Sequence, residues 1–201
     1  AKSPKPMTLE ETVVALSEWF IKITGVLFRF QNVLGDGLCL FYCLVTMTPG
    51  WDALGLRTEL ASYLDPSPLA RRANQHQYVR EAVRLWMIRV GAAQEVDDPS
   101  AQEVDDFIAS KRASLLKHVV GLGSDDEGDD FDVFLFCLVT GVKVSIVSDF
   151  SSGFEWQHIH DFVQDSILTN PLFQQSGFPQ QSTSWLVLFH HYAGRPTTSY
   201  Q

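Results

Sequence analysis

The sequence predicts an α+β domain, with helices gathered in its first half and strands in its second. Three observations predict it. Apolar residues recur at helical spacing through much of the chain up to residue 119, whereas "VKVSIVS" (142–148) and "SWLVLFHHY" (184–192) read as strands. The 45% hydrophobic content of 201 residues is enough to bury one sizeable core. The architecture expected from this is a small mixed sheet packed between helical parts.

Taken in order, residues 1–7 are polar and broken by Pro4 and Pro6, so they are expected to form a flexible lead-in to a single domain spanning 8–201. Thr8 followed by Glu11 is a capping box, and Val13, Val14, Leu16, Trp19 and Phe20 continue at helical spacing until Gly25. "VLFRFQ" (26–31) alternates like a strand, and a turn is expected at 34–37. The apolar run from Cys39 to Thr46 stops before Pro49-Gly50, which predicts a short buried helix. Further helices are predicted over 52–64, 72–90 and 101–119, the first two separated by Asp65-Pro66-Ser67-Pro68. The acidic stretch "SDDEGDD" (124–130) predicts a loop, and 131–141 a buried element of either type. A strand over 142–148, another over 154–160 and a last one over 184–192 complete the prediction, with an irregular Gln- and Ser-rich loop over 164–183.

Composition narrows the function. A formal charge of −9 disfavours nucleic acid as the main partner, because phosphate binding needs clustered Lys and Arg. No apolar run approaches the roughly 20 residues that span a bilayer, so no membrane association is expected. Three cysteines do not form a disulfide framework; free thiols in a reducing, cytoplasmic compartment fit better.

The chemistry concentrates in "GDGLCLFYC" (35–43). A thiol nucleophile needs a lowered pKa, access to substrate, and donors for the oxyanion that forms when a carbonyl is attacked. A cysteine opening a helix behind a Gly-Asp-Gly turn has all three within reach, which makes Cys39 the candidate nucleophile. The backbone of Asp36, Gly37, Leu38 and Cys39 is the candidate oxyanion hole. Cys43 and Cys137 sit inside apolar runs and read as core thiols. Among six histidines, His76 and His118 read as surface residues, and His158 with His160, on one predicted strand face, lack the further ligands of a metal site. His190 and His191 close the late apolar strand and point to opposite faces, so one of them is the candidate base.

These residues resemble a known family, the OTU (ovarian-tumour-type) cysteine proteases, most of which are deubiquitinases. The family's nucleophile motif Asp-Gly-Asn-Cys-Leu-Phe is matched by Asp36-Gly37-Leu38-Cys39-Leu40-Phe41, and its histidine-aromatic pair by His191-Tyr192. "GDDFDVFLFCLVTGVKVSIV" (128–147) is similar to the segment between them. The resemblance implies a papain-like OTU fold, His191 as the base of Cys39, and no cofactor or metal. It also implies ubiquitin or a ubiquitin-like protein as substrate, with the enzyme acting as a monomer. It places Tyr192, Asp129 and Asp130 against the substrate, the acidic pair facing the arginine-bearing tail of ubiquitin. Leu38 stands where the family has Asn, and Ala193 where it often has the acidic partner of the histidine. Asp36, with Asn32 and Asn170 behind it, is the candidate for that orienting role; a Cys-His dyad is the alternative. This divergence points to a viral protein or a bacterial effector. A polyprotein-processing protease and a degenerate ubiquitin-binding module are the other readings it leaves.

Overall fold

A computed structural model describes residues 8–33, 38–92, 97–117, 128–150 and 153–189. It is an α+β structure with a three-stranded mixed sheet. Helix α1 (Leu9–Thr24) begins where Thr8 accepts from the Glu11 amide and ends at Gly25, whose φ of 68° is the left-handed conformation glycine adopts freely. The strand expected next does not form. Residues 26–33 are extended without a strand partner among the described residues, because only Phe28 of the alternating set finds an apolar seat, against Phe20 and Trp185.

Helix α2 (Cys39–Val45), α3 (Ala53–Tyr63), α4 (His76–Ala92) and α5 (Ala101–Leu116) follow, α3 capped by Asp52 and α5 by a Ser100/Glu103 capping box. Residues 72–75, expected to open α4, form turns instead. The buried element of undetermined type is helix α6 (Asp130–Thr140), so Asp130 belongs to a helix rather than to the acidic loop. After Gly141 the chain enters β1 (Lys143–Phe150), turns back along β2 (Gly153–His158), and continues into α7 (Ile159–Phe162).

Two expectations fail here for one reason. Ile159, Phe162 and Val163 are buried at three- and four-residue intervals, so the chain coils at Ile159 and His160 leaves the strand. The coil continues as a π-helical turn over Val163–Leu168 and a 3₁₀ turn over Pro171–Phe173, where an irregular loop was expected. Strand β3 (Trp185–Phe189) completes the sheet in the order β2-β1-β3, in which β1 runs antiparallel to β2 and parallel to β3.

The sheet separates two cores. Val144, Ile146, Leu186 and Leu188 face the larger one, built with α2 to α7. Val147, Val187 and Phe189 face a second, aromatic one with Leu16, Trp19 and Phe20 of α1, in which Trp19 meets Trp156 edge-on at 5.4 Å. At the centre of the larger core Phe134 is fully buried and stacks on Trp86 at 4.7 Å. Phe134→Ala should cost about 3–5 kcal/mol in denaturant unfolding. Val14→Ala, on the exposed side of α1, should stay within about 0.5 kcal/mol.

Candidate active site

Cys39 is the first residue of α2, with Leu38 as the preceding cap residue, and it is half-buried. Cys43 lies one turn further on; burial, then the neighbouring Cys39 sulfur, pushes its thiol up to about 11. Cys137, 2% exposed inside α6, is pushed further up by burial. Neither thiol is disposed to ionise near neutral pH.

Helix α2 packs mainly against α3, and the chain just before α6 also lies close against it. Gly128 lies so close to α2 that a Cβ added there would come 2.4 Å from Leu40 Cδ2 and 3.0 Å from Phe41 Cε2. Asp129 caps α6, accepting from the Phe131 amide (3.1 Å) and the Asp132 amide (3.3 Å), while Asp132 accepts from the Asp129 amide (2.9 Å). Lys111 of α5 forms an ion pair with Asp129 and lies over the rings of Phe107 and Phe131. Phe41 is flanked by a second cation. The Arg57 guanidinium is 5.1 Å from its ring centroid and donates to the carbonyls of Leu115 (3.1 Å) and Ser114 (2.5 Å), at the end of α5. Sequence reasoning missed Lys111, Arg57, Asp132 and Gly128. An arginine inside the apolar helix "ALGLRTELASY" and the Asp-x-x-Asp spacing of 129 and 132 were the available signals.

Asp129 and Asp130, expected against substrate, are therefore occupied with the helix start: Asp129 as cap and ion-pair partner, Asp130 half-buried with its carboxyl pushed up by burial and by Asp129. Asn32 is exposed, and the side-chain oxygen of Asn170 accepts from the Leu172 amide at 3.0 Å. Asp36, Gly37, His190, His191 and Tyr192 lie outside the described residues.

The C-terminal end of α6 is also fixed by close contacts. Gly141, with φ 73°, ends α6, and its Cα packs against the Gln180 carbonyl, where an added Cβ would come within 2.5 Å. Ser182 donates to the Gly141 carbonyl (2.8 Å) and Lys143 to that of Ser184 (3.0 Å), so β1 and β3 both begin beside the C-terminal end of α6. The Cys137 thiol is within hydrogen-bonding reach of the Val144 backbone, which folds β1 back over the helix. Phe189, at the end of β3, packs on the α1 side of the sheet against Phe154.

His76, expected at the surface, is half-buried at the start of α4, and His118 lies outside the described residues; His158 and His160 form a separate group. Trp185 Nε1 donates to Ser145 Oγ at 2.9 Å, and Ser145 Oγ lies 2.6 Å from His158 Nδ1. His160 Nδ1 donates to the Val144 carbonyl at 3.0 Å. Ser145 is wholly buried, so this serine-histidine contact cannot present a nucleophile, and burial lowers the His158 pKa. Among the described residues no group of three or more His, Cys, Asp or Glu side chains is disposed to hold a metal ion, and no helix is long and apolar enough to cross a membrane. Comparison with protein-family models, with curated proteins and with solved structures finds no match.

Asp132 supplies the pH test of this arrangement. Burial, then the Asp129 charge, pushes its carboxyl up to about 7, against about 4 in an unfolded chain. A raised folded-state pKa contributes stability that is complete below the unfolded value and is lost as pH rises through the folded one. Stability should therefore fall between about pH 4 and 7 by this group's contribution. Asp132→Asn, which keeps the acceptor oxygen, should flatten that stretch of the thermal-unfolding profile. An unchanged profile would remove Asp132 as its source.

Proposed function

We propose that this chain is a cysteine protease of OTU type that hydrolyses the peptide or isopeptide bond after the C-terminal Gly-Gly of ubiquitin or a ubiquitin-like protein. The observation that carries this reading is the place of Cys39, which stands half-buried as the first residue of α2. The burial of Cys43 and Cys137, which raises both thiols, supports Cys39 as the reactive one.

In this mechanism His191 takes the proton of Cys39 and the thiolate attacks the carbonyl of the terminal glycine. The backbone of residues 36–39 stabilises the oxyanion. His191 then protonates the departing lysine amine, and water, activated by the same imidazole, releases the acyl group. Asp36 is the proposed orienting partner of the imidazole, and Tyr192 packs beside it. The reaction needs no cofactor or metal, and the cytoplasm, with reduced thiols and ubiquitin conjugates, is the compartment that suits it.

The test is reaction with ubiquitin carrying a thiol-reactive warhead at its C-terminus. The wild type and Cys43→Ser should form a covalent adduct, and Cys39→Ala none. His191→Ala should slow the reaction by about 10²-fold or more while His190→Ala reacts normally. Ubiquitin binding without an adduct would assign the chain to non-cleaving ubiquitin-binding modules. Neither binding nor adduct would remove ubiquitin as the substrate, leaving a polyprotein cleavage site as the target to seek.

A further inference from the structure

Helix α1 is amphipathic twice over, and the sheet uses only one of its faces. Thr12, Leu16 and Phe20 are buried, while Val14 and Ile21, two turns apart on the opposite side, are 58% and 48% exposed. Of the eleven large hydrophobic side chains that stand exposed among the described residues, seven lie between Leu9 and Phe30. Scattered exposed aliphatics are ordinary on a protein surface; this concentration in one short segment is not. Glu10, Glu11 and Glu18 line the open surface around Val14 and Ala15. Among the described residues none of the three forms an ion pair.

Charge decides what can cover such a face. The carboxylates repel nucleic acid and anionic membranes. A second copy of α1 would bring three glutamates against the single Lys22 of each partner helix, so self-pairing is repulsive as well. We propose that the outer face of α1 docks a basic amphipathic helix of another protein. Apolar side chains one face apart on that helix sit on Val14 and Ile21, which are separated by ~10.5 Å along the axis. Lysines or arginines beside them pair with Glu10, Glu11 and Glu18. The site lies behind the sheet from the larger core and does not involve Cys39.

The probe is an 18-residue leucine-lysine peptide with helical periodicity, compared with the same residues in alternating order, titrated into the full chain and read by amide chemical shifts. The helical peptide should bind saturably, with shifts centred on residues 10–21, and equally well in Cys39→Ala. Val14→Ser with Ile21→Ser should weaken it at least tenfold, and Glu10→Gln with Glu18→Gln should weaken it and flatten its salt dependence. Circular dichroism checks that these surface variants stay folded. Equal binding of the alternating peptide, shifts centred elsewhere, or indifference to the apolar pair would overturn the proposal. Tighter binding after removal of residues 1–7, which carry Lys2 and Lys5, would assign the face to the chain's own N-terminus and overturn it too.

Discussion

The start of α6 is a polar problem set inside an apolar core. Phe131 to Leu138 are all buried, so this helix has no solvent face on which to satisfy its first amides. Two carboxylates, Asp129 and Asp132, do that work, and two carboxylates at one buried spot repel each other. Lys111 relieves the repulsion, which requires α5 to lie alongside, and Arg57 ties the last turn of α5 to α3 and to the ring of Phe41. Capping one buried helix thus draws in α5 and, through Arg57, α3, while Gly128 lies against the first turn of the helix that carries Cys39. A larger residue at 128 would have to displace Leu40.

The other end of α6 sets the sheet. Gly141 reverses the chain tightly enough for Cys137 to reach Val144, and the close approach of Gln180 at the same glycine seats the beginning of β3. A parallel strand needs a long connection, and the segment from β2 through α7 and its π-helical turn supplies it while closing the larger core. One terminus of α6 thus lies against the helix that carries Cys39, and the other seats the beginning of β3.

Much of this was legible in the residues. One cap was read in advance, Thr8 with Glu11, and the structure retains it; Asp52 and Ser100 with Glu103 cap α3 and α5 in the same way. Alternation alone was a weaker guide. "VLFRFQ" has the pattern of a strand, yet pairing is a property of the neighbour as much as of the segment, and no neighbour is present among the described residues. In 154–160 and 164–183 short apolar runs concealed a change from period 2 to helical spacing at Ile159. The candidate nucleophile was legible because its chemistry is local. The supports around it were not, since Arg57, Lys111 and Asp132, with 20 to 74 residues between them in sequence, acquire meaning only when the fold brings them together.

Burial sets Cys137 apart from the other two thiols, which are both half-buried. All three stand in apolar surroundings, and apolar surroundings raise a thiol's pKa unless something compensates. Cys137 is enclosed by its helix and by β1, and Cys43 has both burial and the adjacent Cys39 sulfur against its ionisation. Cys39 differs in position: it is the first residue of its helix, where backbone amides favour a negative charge. Two thiols on one face, four residues apart, cannot both ionise cheaply, so whatever favours the anion on Cys39 suppresses it on Cys43. The same helix that presents one sulfur thereby keeps the other protonated.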